Sequence, residues 1–281
     1  MQSRNPVFAR SDAFNGRGAN AYGNPTYPGS GPYTGYGHSD PSTWSVGSAT
    51  DVEGRITVDS VVQKTAMTLG LLVAAAAVTW FVVGDTVLMA NYQRAQTLAM
   101  GGAFVGFGLA LVNSFKRVVS PALVLAYAVV EGVFIGAVSK VFDTAFHGVV
   151  PGAVLGTVAA FAGTLAAYKV LNIRVTDRFR KGVVAAMFGF VAVSFLDMIL
   201  SFFGSSFGFN GFGTLGLLSS AVGVVLGVLM LVLDFDYVER AVAAGMPERE
   251  SWRAAFGLTV TIVWLYIEML RILAILQGGR R

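Results

Sequence analysis

Seven apolar runs leave this chain of 281 residues few ways to fold: Thr65 to Val83, Ala95 to Phe115, Val118 to Ser139, Val149 to Tyr168, Val183 to Phe203, Thr214 to Asp234, and Ala254 to Leu276. Each is close to the roughly 20 residues that carry a helix across a ~30 Å hydrocarbon core. Backbone groups in hydrocarbon must be satisfied internally, so only helices or closed barrels span a membrane. A barrel would show short alternating segments in place of continuous apolar runs. With 54% hydrophobic residues against 13% charged, and a mean hydropathy of +0.64, the chain lies far outside the soluble range. The expected fold class is an all-α membrane protein, a bundle of seven transmembrane helices. Glycines fall four apart at Gly132 and Gly136, Gly152 and Gly156, and Gly223 and Gly227. That spacing lets helix backbones approach closely and predicts tight packing.

Residues 1–55 form a polar tail rich in Gly, Pro, Ser, Asn and Tyr, expected to be disordered and cytoplasmic, with the transmembrane domain over 56–281. No apolar segment follows the tail's arginines, which excludes a signal peptide reading. The net charge of +4 comes from basic residues spread between the apolar runs, not from a helical stripe, so nucleic acid is not an expected partner. Fifteen of the 20 Lys and Arg residues fall in the tail and in alternate loops. The positive-inside rule then places the N-terminus in the cytoplasm and the C-terminus outside. The loop at 204–213 has no charge and is expected to be a flexible external or interfacial turn. There is no cysteine, and the two histidines lie outside the spans, so no cofactor or resident metal is expected. No intramembrane histidine lies near a serine, and the chain is not expected to be an enzyme.

Few charges remain at membrane depth: Glu131, Asp197, Asp234, Glu268 and Arg271, with Asp236 at the border. A carboxylate there costs roughly 2.5–3.5 kcal/mol on insertion scales, and such residues usually face a bundle interior or a water-filled cavity. The acidic excess favours a path for cations or protons. Asp234 and Asp236 point about 200° apart on a helix, so only one of them faces a given neighbour. Glu268 and Arg271 are i,i+3 neighbours, and a simple ion pair on one helix is an alternative to a functional role. If the sixth helix stopped at Asp234 and the seventh began at Ala254, Asp234 and Glu268 would lie about 21 Å apart along the axis. Contact between them requires the sixth helix to run on to about Gly245 and the seventh to begin near Pro247 or Glu248.

The segment EGVFIGAVSK (Glu131 to Lys140), the acid at Asp234 and the ending WLYIEMLRIL (Trp264 to Leu273) together resemble the Bax inhibitor-1 family of seven-helix membrane proteins. The likeness covers about Val61 to Leu276 and is greatest to actinobacterial-type members with a long Gly/Tyr-rich tail. The resemblance implies a bacterial plasma-membrane protein whose last helix is central, wrapped by helices one to three and four to six. It implies a pH-sensitive calcium leak, gated by acids on the sixth and seventh helices that share a proton when closed and bind Ca2+ transiently when open. Asp234 matches the sixth-helix aspartate, with Val238 four positions later, and Glu268 takes the seventh-helix position where aspartate is usual. Asp236 remains an alternative to Asp234. The family's second-helix basic residue has no counterpart between Ala95 and Phe115, which leaves Lys116, Arg117 or Arg271 for that role. Glu131, Asp197, Asp236 and Arg271 are the expected auxiliary polar groups of the path. The expected partners are the lipid bilayer, calcium and protons. The alternative function is a regulatory membrane protein that modulates a membrane protease or a stress response through contacts with a membrane protein partner.

Overall fold

The structure is a computed structural model that describes residues 54–279. The expected disordered tail lies outside the described residues except for its last two positions. Every apolar run is a helix: α1 (Val58–Val83), α2 (Met89–Phe115), α3 (Pro121–Ala145), α4 (Val149–Val170), α5 (Asp177–Phe202), α6 (Thr214–Ala243) and α7 (Glu250–Gly278). All seven are long and apolar enough to cross a membrane, and the chain is an integral membrane protein. Large apolar side chains such as Phe81, Phe104 and Phe188 are exposed on the outer faces of the bundle, where they meet lipid.

Several helices outrun their apolar cores because polar residues cap them. Thr57 begins α1 with a capping box, its hydroxyl accepting from the Ser60 backbone while the Ser60 side chain accepts from the Thr57 backbone. Thr176 accepts from the Phe179 amide at the start of α5. The extension of α6 matters most, since the helix continues nine residues past Asp234 to Ala243. It stops at Gly245, whose φ of +60° suits glycine, and the Met246 amide returns to the Ala241 carbonyl at 3.1 Å. The chain before α1 pairs with this turn through Ile56 N to Met246 O (2.9 Å) and Glu248 N to Gly54 O (2.7 Å).

The last helix is the hub: α7 packs against α1, α3, α4 and α6, and no helix has a larger buried share. Each buried apolar cluster draws on it, through Leu258 and Leu265, through Val263 and Leu270, and through Phe256. All three glycine pairs sit at helix crossings. Gly132 and Gly136 meet α1 at Leu72 to Thr79, Gly152 and Gly156 meet α7 at Leu273 and Met269, and Gly223 and Gly227 meet α7 at Glu268 and Leu265. Among the described residues α2 packs only on α3 and α1, which leaves a gap between its end and the α6–α7 pair.

Contacts gather the basic residues at one end of the bundle. Ser60 and Ser251 hydroxyls meet at 2.7 Å, Tyr168 donates to Glu239 at 2.6 Å, and Arg253 Nη2 donates to the Arg117 carbonyl at 2.9 Å. At the opposite end Thr86 donates to Thr144 (2.6 Å) and Gln277 to the His147 carbonyl (3.0 Å). A reporter fused after Arg281 is expected to report the outside, and one inserted near Arg178 the cytoplasm, in an accessibility assay. Finding both on the same side would contradict the charge-based orientation.

Candidate functional site

Asp234 and Glu268 both lie on the seam between α6 and α7, but at different depths. Asp234 is partly buried and accepts from Thr261 Oγ1 at 2.7 Å through its Oδ2 atom. Threonines inside helices usually bond the carbonyl four residues back, as Thr259 does to Ala255 at 2.7 Å. Thr261 turns its hydroxyl to the carboxylate instead. One turn earlier on α7 stands Gly257, where an added Cβ would lie 3.5 Å from Asp234 Oδ1, so the α7 backbone itself borders the acid. Asp234 lines a cavity of about 320 Å³ together with Asn113 and Ser114 from the end of α2, Tyr237 from α6, and Arg253, Ala254, Phe256 and Gly257 from α7. Arg253 is already engaged, its Nε donating to Glu250 Oε2 at 2.7 Å.

Glu268 is fully within the bundle at 4% exposure and pairs with Arg271, Nη1 to Oε2, at 3.2 Å. Gly223 makes room for it, since a Cβ there would come 2.7 Å from the Glu268 carboxyl carbon. Arg271 reaches onward with Nη2 to the Phe209 carbonyl (3.1 Å) and Ser219 Oγ (3.4 Å). The two carboxyls are therefore not brought together. Glu268 is seven residues beyond Thr261, about 10 Å along α7, and each acid has its own partner. The long α6 and early α7 do bring Asp234 alongside α7, but its neighbours there are Gly257 and Thr261. Between the two acids Leu265, fully buried, fills the space opposite Gly227, where a Cβ would meet Leu265 Cδ2 at 2.6 Å. The middle of the seam is apolar and closely packed.

The other intramembrane charges take separate places. Asp236 faces the start of α5, pairing with Arg180 at 3.2 Å and with Arg240 on its own helix. This matches the expected divergence of the two aspartates and leaves Asp234 as the one facing α7. Glu131 sits between α2 and α3, against Gly106 and bonded to Tyr127, whose ring packs edge-on against Phe256 of α7 at 5.1 Å. Asp197 holds the loop at 204–213. Its Oδ1 accepts from the amides of Phe207 (2.9 Å) and Gly208 (3.2 Å), and its Oδ2 from Asn210 (2.8 Å). Asn210 also bonds Ser194 through both its side-chain atoms, each at 2.6 Å. The loop expected to be flexible is thus tied down by a buried carboxylate, and it closes the seam above Glu268 through Phe209. The Phe209 ring packs on Phe190 (5.1 Å), which packs on Trp264 (5.4 Å), whose Nε1 donates to the Gly223 carbonyl at 2.9 Å. The string Gly204 to Gly208 has G-x-S-x-G spacing, which in hydrolases sits on a strand-to-helix turn. Here it follows α5, and no strand among the described residues precedes it.

Asp197→Ala leaves three backbone amides without their acceptor, at about 1–3 kcal/mol for each buried group that water cannot reach. The expected result is faster proteolysis within 204–213 and a lower melting temperature in detergent. Unchanged proteolysis would mean that the loop is held by its aromatic contacts.

Of the basic candidates left open for the acids, Arg271 engages Glu268. Asn113, Tyr237, Thr261 and Arg253 were not singled out from sequence, and all but Thr261 line the Asp234 cavity. The available signal was modest: an asparagine near the end of an otherwise apolar run, and a threonine at a helical spacing from Glu268.

A comparison with curated proteins finds no match. The family model for Bax inhibitor 1 like proteins matches residues 5–278, and so extends through most of the N-terminal tail as well as the helices. With nearly the whole chain covered, and seven helices around a central last one, the protein belongs to the Bax inhibitor 1 like family.

Proposed function

We propose that the chain is a cation leak pathway along the α6–α7 seam, with calcium as its permeant ion, Asp234 as the acid that draws the cation in, and the Glu268–Arg271 pair as the closed outer end. The observation that carries this reading is Asp234 itself. Its carboxylate borders a cavity of about 320 Å³, and its hydrogen-bond partner is the uncharged Thr261 hydroxyl. A carboxylate kept at membrane depth without an ion pair is expensive, and function is the default reason for it. In this reading the buried Leu265 and the loop at Phe209 are what close the path. Opening requires Arg271 to leave Glu268 and Phe209, which would free a second acid for the cation. Acidification neutralises carboxylates, so the flux falls as pH falls.

Ion selectivity tests the proposal. Liposomes that carry the purified protein are expected to admit Ca2+, read by an enclosed dye, and to exclude chloride. Chloride entry equal to or greater than that of Ca2+ would overturn it.

A further inference from the structure

The cations at the more basic end of the bundle divide into two sets. Lys64 pairs with Glu248 (2.9 Å), Arg253 with Glu250 (2.7 Å), and Arg180 (3.2 Å) and Arg240 with Asp236. Glu239 is taken by the Tyr168 hydroxyl. With those acids engaged, Lys169, Arg174, Arg178 and Lys181 are in no ion pair among the described residues. All four are exposed, and they share one short stretch: the last turn of α4, the link after it and the start of α5. Between 169 and 181 the only acid is Asp177, which lies 3.9 Å from Arg180. The link itself is held in place. Asn172, at φ +47°, turns the chain so that the Ile173 amide returns to the Tyr168 carbonyl at 3.2 Å, and Ile173 and Val175 pack on the buried cluster that contains Tyr168 and Phe235. Arg174, between those two, is left exposed. Next to Lys169 two apolar side chains are exposed as well, Val170 at 77% and Leu171 at 70%.

We propose that this corner is a binding site for an anionic phospholipid, whose headgroup phosphate is held by Lys169, Arg174, Arg178 and Lys181 while its acyl chains lie against Val170 and Leu171. Cations without acidic partners at the end of a membrane-spanning helix are drawn to anionic headgroups, and the forked guanidinium of arginine bonds a phosphate through two N–H groups at once. The exposed apolar pair decides between partners. A nucleic acid or an acidic peptide would satisfy the cations and leave Val170 and Leu171 in water, whereas a lipid covers both kinds of surface with one molecule. The helices leave room for it. Among the described residues α4 and α5 both pack on α6 and not on each other, so no helix fills the angle under the link and lipid reaches it from the side. The site concerns lipid alone and does not depend on ion flux.

The full-length protein in uncharged detergent is given equal amounts of phosphatidylglycerol and phosphatidylcholine with the same acyl chains, and the lipids that stay bound are counted by native mass spectrometry. Phosphatidylglycerol is expected to be retained over phosphatidylcholine by about tenfold or more, since each cation near an anionic headgroup favours it by roughly fivefold. Glutamine at Lys169, Arg174, Arg178 and Lys181 together is expected to bring the two lipids to within about twofold of each other. Lys116→Gln with Arg117→Gln, exposed cations that follow α2, should keep the preference. If the four-site variant does not fold, Arg174→Gln with Lys181→Gln decides, with an expected loss of about fivefold or more. Equal retention of the two lipids by the unaltered protein overturns the site. So does a preference that survives the four substitutions or that disappears in the variant after α2. Excess glycerol phosphate, which has the phosphate without the acyl chains, is expected to leave the bound lipid in place. Its displacement of the lipid would make the site one for soluble phosphate and overturn the lipid assignment.

Discussion

Asp234→Asn lowers calcium flux through the reconstituted protein by about tenfold or more at neutral pH. The asparagine keeps the size of the side chain and can still accept from Thr261, so the seam keeps its packing and loses only the charge. A full charge acting on a cation at ~4 Å is worth up to about 4 kcal/mol at an effective dielectric near 20. Losing a third of that already slows passage tenfold, because each ~1.4 kcal/mol is a factor of ten in rate. Asp236→Asn is the control. That acid is held between Arg180 and Arg240 on the side of α6 away from Asp234, so its removal changes flux little. Flux assays on the two variants side by side decide the assignment. If Asp236→Asn abolished flux and Asp234→Asn left it intact, the acid that serves the path would have been misplaced by half a helical turn.

Gly132→Val is expected to have the largest effect on stability. At this crossing α1 lies so close that even a Cβ on residue 132 would collide with the Leu72 carbonyl, and would come within 2.7 Å of Ala75 Cβ and 3.2 Å of the Ala76 amide. Two of these three neighbours are backbone atoms, which no rotamer change can move. Gly136 repeats the situation one turn on, against the Ala76 carbonyl and within 2.9 Å of Thr79 Cβ. Overpacking of a rigid contact costs about 1–3 kcal/mol or more. At roughly 2–4 °C per kcal/mol for a chain of this size, the melting temperature in detergent drops by on the order of 10 °C. The same substitution at Gly163, which has open space around its Cβ position, serves as the comparison and is expected to shift the melting temperature far less. Equal effects at the two positions would show that the helix interior, and not the α1–α3 contact, sets the loss.

The seven helices were legible because hydrocarbon permits so few alternatives to a helix of about 20 apolar residues. The continuation of α6 was legible too, since Gly245 and Pro247 mark where a helix ends and the next begins, and the charged segment between Asp234 and Gly245 holds no breaker. The opposed directions of Asp234 and Asp236 follow from helical geometry alone. What sequence does not contain is the axial offset between two packed helices. Spacing along α7 places Glu268 at a depth on its own helix, but only packing decides which α6 residue stands opposite, and it is Gly223. The proton-sharing contact implied by family resemblance is absent for that reason. The i,i+3 pair with Arg271, which needs only one helix, is present. What Asp197 holds was hidden for a different reason. A buried acid looks alike in sequence whether it lines a path or caps a loop, and only the three amides of Phe207, Gly208 and Asn210 distinguish the two. Asn113 and Thr261 escaped notice because one uncharged polar residue in an apolar run is common, while Arg253 was counted among the topology signals at the start of α7.

The most direct measurement of the central claim is calcium entry into liposomes that contain only the purified protein and neutral lipid, followed over a series of external pH values. The account predicts entry that scales with the amount of protein, exceeds that of protein-free liposomes and declines as the pH is lowered and Asp234 loses its charge. Entry no greater than that of protein-free liposomes at every pH would contradict it and leave the chain as a regulator acting through protein contacts.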